Sequence, residues 1–145
     1  MGYAHLRHIG KEIVVGKKTT LRVKYNERGN GKQGGMAINF KRHMGDCSDI
    51  ILHFNPRYPA YQIVLNSFVN QNWQKEVLVG ADPTVFSKEF ALSLDVIDET
   101  TVLIKVQGEL LTTYICPDDI TKTEFIEFSP EYRIIEENNG HTCSY

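Results

Sequence analysis

The chain of 145 residues has no apolar run near the ~20 residues that a membrane-spanning helix requires. Its start, Met1 to Arg7, lacks an apolar signal core, and no Asn-x-Ser/Thr acceptor site occurs anywhere. Basic residues are not in excess: the formal net charge is -2, so nothing favours the phosphate backbone of a nucleic acid, and no membrane insertion is expected either. Cysteine is sparse, with Cys47, Cys116 and Cys143 at scattered spacing, an odd number that reads as free thiols in a reducing compartment. There is no Cys-x2-Cys and no Gly-x4-Gly-Lys-Ser/Thr phosphate-binding loop, so neither a metal nor a cofactor is implied. No window carries a helical stripe, and there is no internal repeat, low-complexity stretch or linker. One domain over residues 1–145 is expected, with a core from about 9 to 136 and a loose tail over 137–145.

What is present is alternation. Leu21, Val23 and Tyr25 share one parity against Thr20, Arg22 and Lys24. Phe90, Leu92, Leu94 and Val96 repeat it, and Val102, Ile104 and Val106 follow. A period of two sends one set to a core and the other to water. Turn signals separate the runs at Asn30-Gly31, Gly34-Gly35, Gly80-Ala81-Asp82-Pro83, Asp98-Glu99-Thr100 and Gln107-Gly108. Their spacing of about 8–12 residues predicts an all-β fold, a two-sheet antiparallel β-sandwich of about ten to twelve strands. Pro117-Asp118-Asp119 opens one short helical turn, because proline and acids suit a helix N-terminus.

The segment from Asp49 to Leu78 carries the chemistry. Read as a strand, Ile50 to Arg57 turns Ile50, Leu52 and Phe54 to the core. His53, Asn55 and Arg57 then emerge together on the other face, about 7 Å apart. Pro56 has no N–H to give a neighbour, so the strand ends there or lies near an edge. A second strand, Ile63 to Ser67, puts Val64 and Asn66 on one face. A third stretch, Asn72 to Val79, holds the one tryptophan, Trp73, and then Glu76, with Val77 and Val79 inward and Leu78 outward. These residue types suit a sugar. Arg and Asn satisfy several hydroxyl oxygens, a carboxylate accepts strongly, and an indole face matches the C–H face of a galactose-type ring.

His53-Phe54-Asn55-Pro56-Arg57, Val64-Leu65-Asn66 and Trp73-Gln74-Lys75-Glu76-Val77-Leu78, in that order, resemble the signature of the galectins, a family of β-galactoside-binding lectins. The likeness runs from about Ile9 to Glu136. Met36-Ala37-Ile38-Asn39-Phe40 precedes the site and the hairpin from Phe90 to Val106 follows it. The resemblance implies a jelly-roll sandwich of the galectin and legume-lectin type. It also implies roles: His53, Asn55 and Arg57 for the axial 4-hydroxyl of galactose, Asn66 and Glu76 for the 6-hydroxyl, Trp73 as a stacking platform, and an Arg57–Glu76 pair. Galactose-containing glycans become the expected partners, and pairing through edge strands a route to a homodimer. Location is expected to be cytoplasmic, with extracellular release independent of a signal peptide, as in the family.

Two departures fall on one side of the site. Leu78 stands where the family has an arginine, and only eight residues separate Arg57 from Asn66. Both affect the region for the second sugar, so that subsite is expected to be more open and less polar. Duller readings stand beside these. A lone tryptophan is more often core than platform. Arg57 and Glu76 can be a merely structural ion pair, which adds little when exposed. Asn66 can simply cap a turn. Taken together they describe a galectin-fold interaction module that has lost sugar binding. An enzyme is disfavoured, because a glycosidase needs two carboxylates across the scissile bond and the pattern supplies one.

Overall fold

A computed structural model describes residues 5–24, 37–45, 47–57, 61–81 and 89–128. The expected turns at Asn30-Gly31 and Gly34-Gly35 and the tail over 137–145 lie outside them, as do Tyr25, Met36 and most of the short loop after Arg57.

Alternating segments become strands: β1 (His5–His8), β2 (Lys18–Lys24), β3 (Ile38–Lys41), β4 (Ile50–Arg57), β5 (Gln62–Val69), β6 (Asn72–Trp73), β7 (Val77–Gly80), β8 (Glu89–Val96), β9 (Thr101–Val106), β10 (Glu109–Ile115) and β11 (Phe125–Phe128). They form two antiparallel sheets. The larger runs β1-β11-β3-β4-β5, with β6 and β7 both paired to the outer side of β5; the smaller runs β10-β9-β8-β2. No α-helix occurs among the described residues. The one helical element there is a single 3-10 turn, Ile120–Lys122, capped by the Asp119 carboxylate on the Thr121 N–H, where the Pro-Asp-Asp signal placed it.

The core lies between the sheets. Ile38, Phe40, Leu52, Phe54, Ile63, Leu65 and Ile126 come from the larger sheet; Leu21, Val23, Phe90, Leu92, Leu94, Val96, Val102, Ile104 and Val106 from the smaller. Phe54 and Phe90 meet across the gap at 6.2 Å between ring centroids. One polar bridge crosses with them. Ser67 Oγ donates to the Ile51 carbonyl at 2.8 Å, so the Tyr114 hydroxyl, 2.6 Å away, donates to Ser67. Burial pushes the Tyr114 phenol pKa up, and the Ser67 bond opposes that. The two-residue turn between β9 and β10 has positive φ at both Gln107 and Gly108. That backbone matches the twist of the hairpin it closes.

One expectation is corrected at the start of β4. Ile50 is fully buried but is not part of the intersheet core; Ile51 takes that place. The register shows why. Ile50 pairs with Phe68 and Lys41, whereas Leu52 pairs with Phe40 and His53 with Asn66. Ile51 is therefore an extra residue on β4, a bulge that reverses the facing of everything before it. Three successive apolar residues, Ile50-Ile51-Leu52, are its trace in the sequence. The thiol reading is corrected as well. Cys116 is free and buried, with its pKa pushed up to about 12 by burial and by Asp118. Cys47 is disulfide-bonded, with its partner outside the described residues.

Candidate functional site

Beyond the bulge, β4 alternates cleanly. Phe54 enters the core while His53, Asn55 and Arg57 stand on the outer face of the larger sheet. The strand ends at Arg57, one residue past Pro56, and Pro56 lies beyond Ile38–Phe54, the last β3–β4 pair among the described residues, so its missing N–H interrupts no described ladder there. Opposite, β5 brings Asn66 beside His53 and Val64 beside Asn55. Past β5 the chain divides into β6 and β7. Trp73 in β6 pairs with Phe68, and Leu78 in β7 pairs with Val64. Glu76 sits on the connection between them.

These side chains converge. Arg57 Nη2 lies 3.5 Å from Glu76 Oε2, and Arg57 Nε donates to Asn55 Oδ1 at 3.0 Å. One guanidinium thereby fixes an amide on its own strand and a carboxylate two strands away. Both ends of the ion pair remain open, with side-chain exposures of 42% and 48%, so they can still meet a ligand. Trp73 is half-buried and lies on this outer face, outside the apolar core. Its ring packs at 4.8 Å from His53 and 5.0 Å from Phe68, tilted to both. The indole is held on both flanks, and part of its surface stays in solvent.

Asn66 is committed at both ends of its amide. Its Nδ2 donates to the Gln74 carbonyl at 3.1 Å and its Oδ1 accepts from the Ser67 N–H at 2.8 Å. It ties the Trp73–Glu76 connection down onto β5. An amide has two N–H groups and two lone pairs, so one of each remains for another partner.

His53 is 8% exposed. Burial first, and the Arg57 guanidinium second, push its imidazole pKa down to about 4. The ring is neutral near pH 7, with one nitrogen donating and the other accepting. Its Nδ1 lies 2.6 Å from Asn39 Oδ1 on β3. Asn39, Lys41 and Glu127 were not among the residues expected at the site, yet all three are buried on this face. Asn39 Nδ2 donates to Glu127 Oε1 at 2.9 Å, and Lys41 Nζ lies 3.5 Å from Glu127 Oε2. The sequence signal was parity: Asn39 and Lys41 alternate with Ile38 and Phe40, and Glu127 with Ile126 and Phe128.

The outer face of β7 carries no polar side chain. Leu78 points outward as expected and is 55% exposed. Next along β7 on that face comes Gly80, without a side chain, paired with Gln62. Val79 packs against the core, but Val77, expected inward, is 37% exposed because nothing flanks this short outer strand on its far side among the described residues.

A shallow polar face on one sheet of an antiparallel sandwich, built from Arg, Asn, His and Glu beside a half-open indole, defines a carbohydrate-binding domain of the lectin type. The model of the galactoside-binding lectin family matches residues 7–136, and the chain belongs to that family, the galectins. Solved galectins share the fold at low sequence identity. A variant of human galectin-16 superposes with a TM-score of 0.71 at 19% identity, covering 90% of this chain and 92% of the other. The Caenorhabditis elegans galectin LEC-6 gives 0.70 at 21%, covering 88% and 84%. Sheep galectin-11 in complex with glycerol gives 0.68 at 14%, covering 89% and 91%. No curated protein sequence matches the chain.

Proposed function

We propose that this galectin binds β-galactosides through the outer face of its larger sheet. His53, Asn55 and Arg57 take the axial 4-hydroxyl, Asn66 and Glu76 the 6-hydroxyl, and Trp73 the apolar face of the ring. The observation that carries this reading is the Asn55–Arg57–Glu76 chain of contacts next to a tryptophan kept out of the core. Selectivity for galactose over glucose follows from the axial hydroxyl: an equatorial one would point away from Arg57 and forfeit its charge-assisted bond. A net hydrogen bond contributes about 0.5–1.5 kcal/mol, so a disaccharide is held at roughly 0.1–1 mM. Binding, not turnover, is the activity, and lactose incubated with the protein releases no galactose.

At the second sugar, exposed Leu78 and Gly80 support a more open and less polar subsite. A glycan array is expected to show galactose-terminated ligands with apolar or variable second units. Preference for the N-acetyllactosamine series would overturn that part alone. Lactose should perturb Trp73 fluorescence while sucrose and maltose do not. No response, together with no retention on a galactose column, would favour the second reading, an interaction module that has lost sugar binding. Leu78 and the internal commitments of Asn66 are what support it. For location, synthesis in the cytosol and release without a signal peptide remains the reading. Recovery of the protein only from cell lysate, never from medium, would oppose it.

A further inference from the structure

The buried polar groups beside His53 form a chain whose hydrogen-bond directions can be read one after another. Lys41 is 0% exposed and its ammonium only donates: to Glu127 Oε2 at 3.5 Å and to the Gly45 carbonyl at 3.1 Å. The Glu127 carboxylate beside that cation only accepts. The group on Asn39 that faces Glu127 Oε1, 2.9 Å away, must therefore be its NH2. That orientation turns Asn39 Oδ1 toward His53. A carbonyl oxygen cannot donate, so the hydrogen in the 2.6 Å contact belongs to His53 Nδ1. In a neutral imidazole the other nitrogen, Nε2, then carries the lone pair. Side chains on three adjacent strands, β11, β3 and β4, share this one cross-strand row, with Glu127 paired to Asn39 and Asn39 to His53.

We propose that Lys41, Glu127 and Asn39 are positioning residues that lock His53 in the Nδ1–H tautomer, so that Nε2 is the acceptor the site offers to a ligand hydroxyl. The polarity originates in the fixed charges of Lys41 and Glu127 and passes through one rigid amide. Neither charged residue touches the ligand; both act through His53. The consequence is a rule of recognition. The hydroxyl over His53 must donate to it, leaving its oxygen to accept from the cationic Arg57. The neutral state required of the ring is the one its buried surroundings favour. The effect on sugar binding rests on the galactoside reading above; the tautomer itself does not.

Two variants separate this chain from ordinary packing. In Glu127→Gln the new amide turns its oxygen to Lys41 and its NH2 to Asn39. Asn39 then flips, and His53 Nδ1 becomes an acceptor with the proton moved to Nε2. In Asn39→Leu, of similar size, Nδ1 loses its partner and both tautomers appear. Long-range 1H–15N NMR of the full-length protein without sugar distinguishes the two ring nitrogens directly. At neutral pH the expected result is Nδ1 protonated in wild type, Nε2 protonated in Glu127→Gln, and a mixture in Asn39→Leu. Lactose affinity should fall several-fold in both variants, although neither changed side chain is expected to contact the sugar. Wild-type His53 with its proton on Nε2, or variants that fold and keep the wild-type pattern, would overturn the proposal. Should one variant fail to fold, the wild-type spectrum and the other still decide. A wild-type spectrum as expected, with no lactose binding, would sink the lectin reading and leave the tautomer assignment standing.

Discussion

Arg57 holds Asn55 through Nε and Glu76 through Nη2, so truncating it removes two contacts of the candidate site at once. The Arg57→Ala variant is expected to lose retention on a galactose column. Its stability should fall by less than ~1 kcal/mol, because an exposed ion pair contributes little; urea titration checks this. Tyr114 behaves oppositely. It lies in the intersheet core, where its hydroxyl hydrogen-bonds Ser67. Tyr114→Phe should cost about 1 kcal/mol, the net value of one hydrogen bond, and leave sugar retention intact. His53, Asn55 and Arg57 were legible in the sequence because a period of two on one strand puts them on one face. Lys41 and Glu127 were not. A lysine and a glutamate 86 residues apart give no local sign that they meet, and a fully buried lysine runs against the rule that such residues stay in water. The place of Asn66 beside Val64 on the outer face was legible, but the bond that draws the Trp73 connection onto β5 was not, since its partner there is a backbone carbonyl.

At the scale of elements, hairpins and strands that keep strict alternation were readable almost residue by residue, as in β8 and β9, whose inward positions all lie in the core. Alternation failed where the backbone gains a residue. The bulge at Ile51 needs two neighbouring strands to define it, and the sequence shows only three apolar residues in a row. Turns divide in the same way. Gln107-Gly108 was legible from its glycine. Asn70-Gln71, which joins β5 to β6 with positive φ at both positions, carries no glycine and was not expected. The glycine at 108 supports a prediction at this scale. Its φ is +82, and a Cβ there would meet nothing within 4 Å. Gly108→Ala thus tests backbone conformation without steric crowding. It should destabilise by about 1–2 kcal/mol, the cost of an L side chain in the left-handed region, as a lower urea midpoint with an unchanged slope. A loss near zero would mean that the hairpin adopts another turn.

For the whole molecule, the polar layer on the larger sheet ties stability to pH. His53 has an unfolded pKa near 6.5 and a folded pKa near 4, depressed chiefly by burial. Between those values the unfolded chain binds more protons than the native one. Stability due to this ring is therefore complete above about pH 6.5 and declines as pH falls, reaching a loss of about 3 kcal/mol below about pH 4. Asp98, whose carboxyl is held below its usual range first by the Thr100 N–H, has the same sign but acts lower. Its contribution is present above its unfolded value of 3.8 and is lost only as pH falls below that. The two groups thus separate along the pH axis. Thermal unfolding of wild type should begin to weaken just below about pH 6.5, before the carboxylates protonate, and His53→Gln should flatten that part of the curve while keeping the decline near pH 4. Because the native ring stays neutral across the same interval, its state in the binding site does not change there. The melting temperature should accordingly drop between about pH 6.5 and pH 5 with no His53-linked loss of lactose affinity. A fall in affinity that tracks a histidine titrating near 6.5 in the native protein, seen by NMR, would mean that the ring is far more open to water than its 8% exposure indicates.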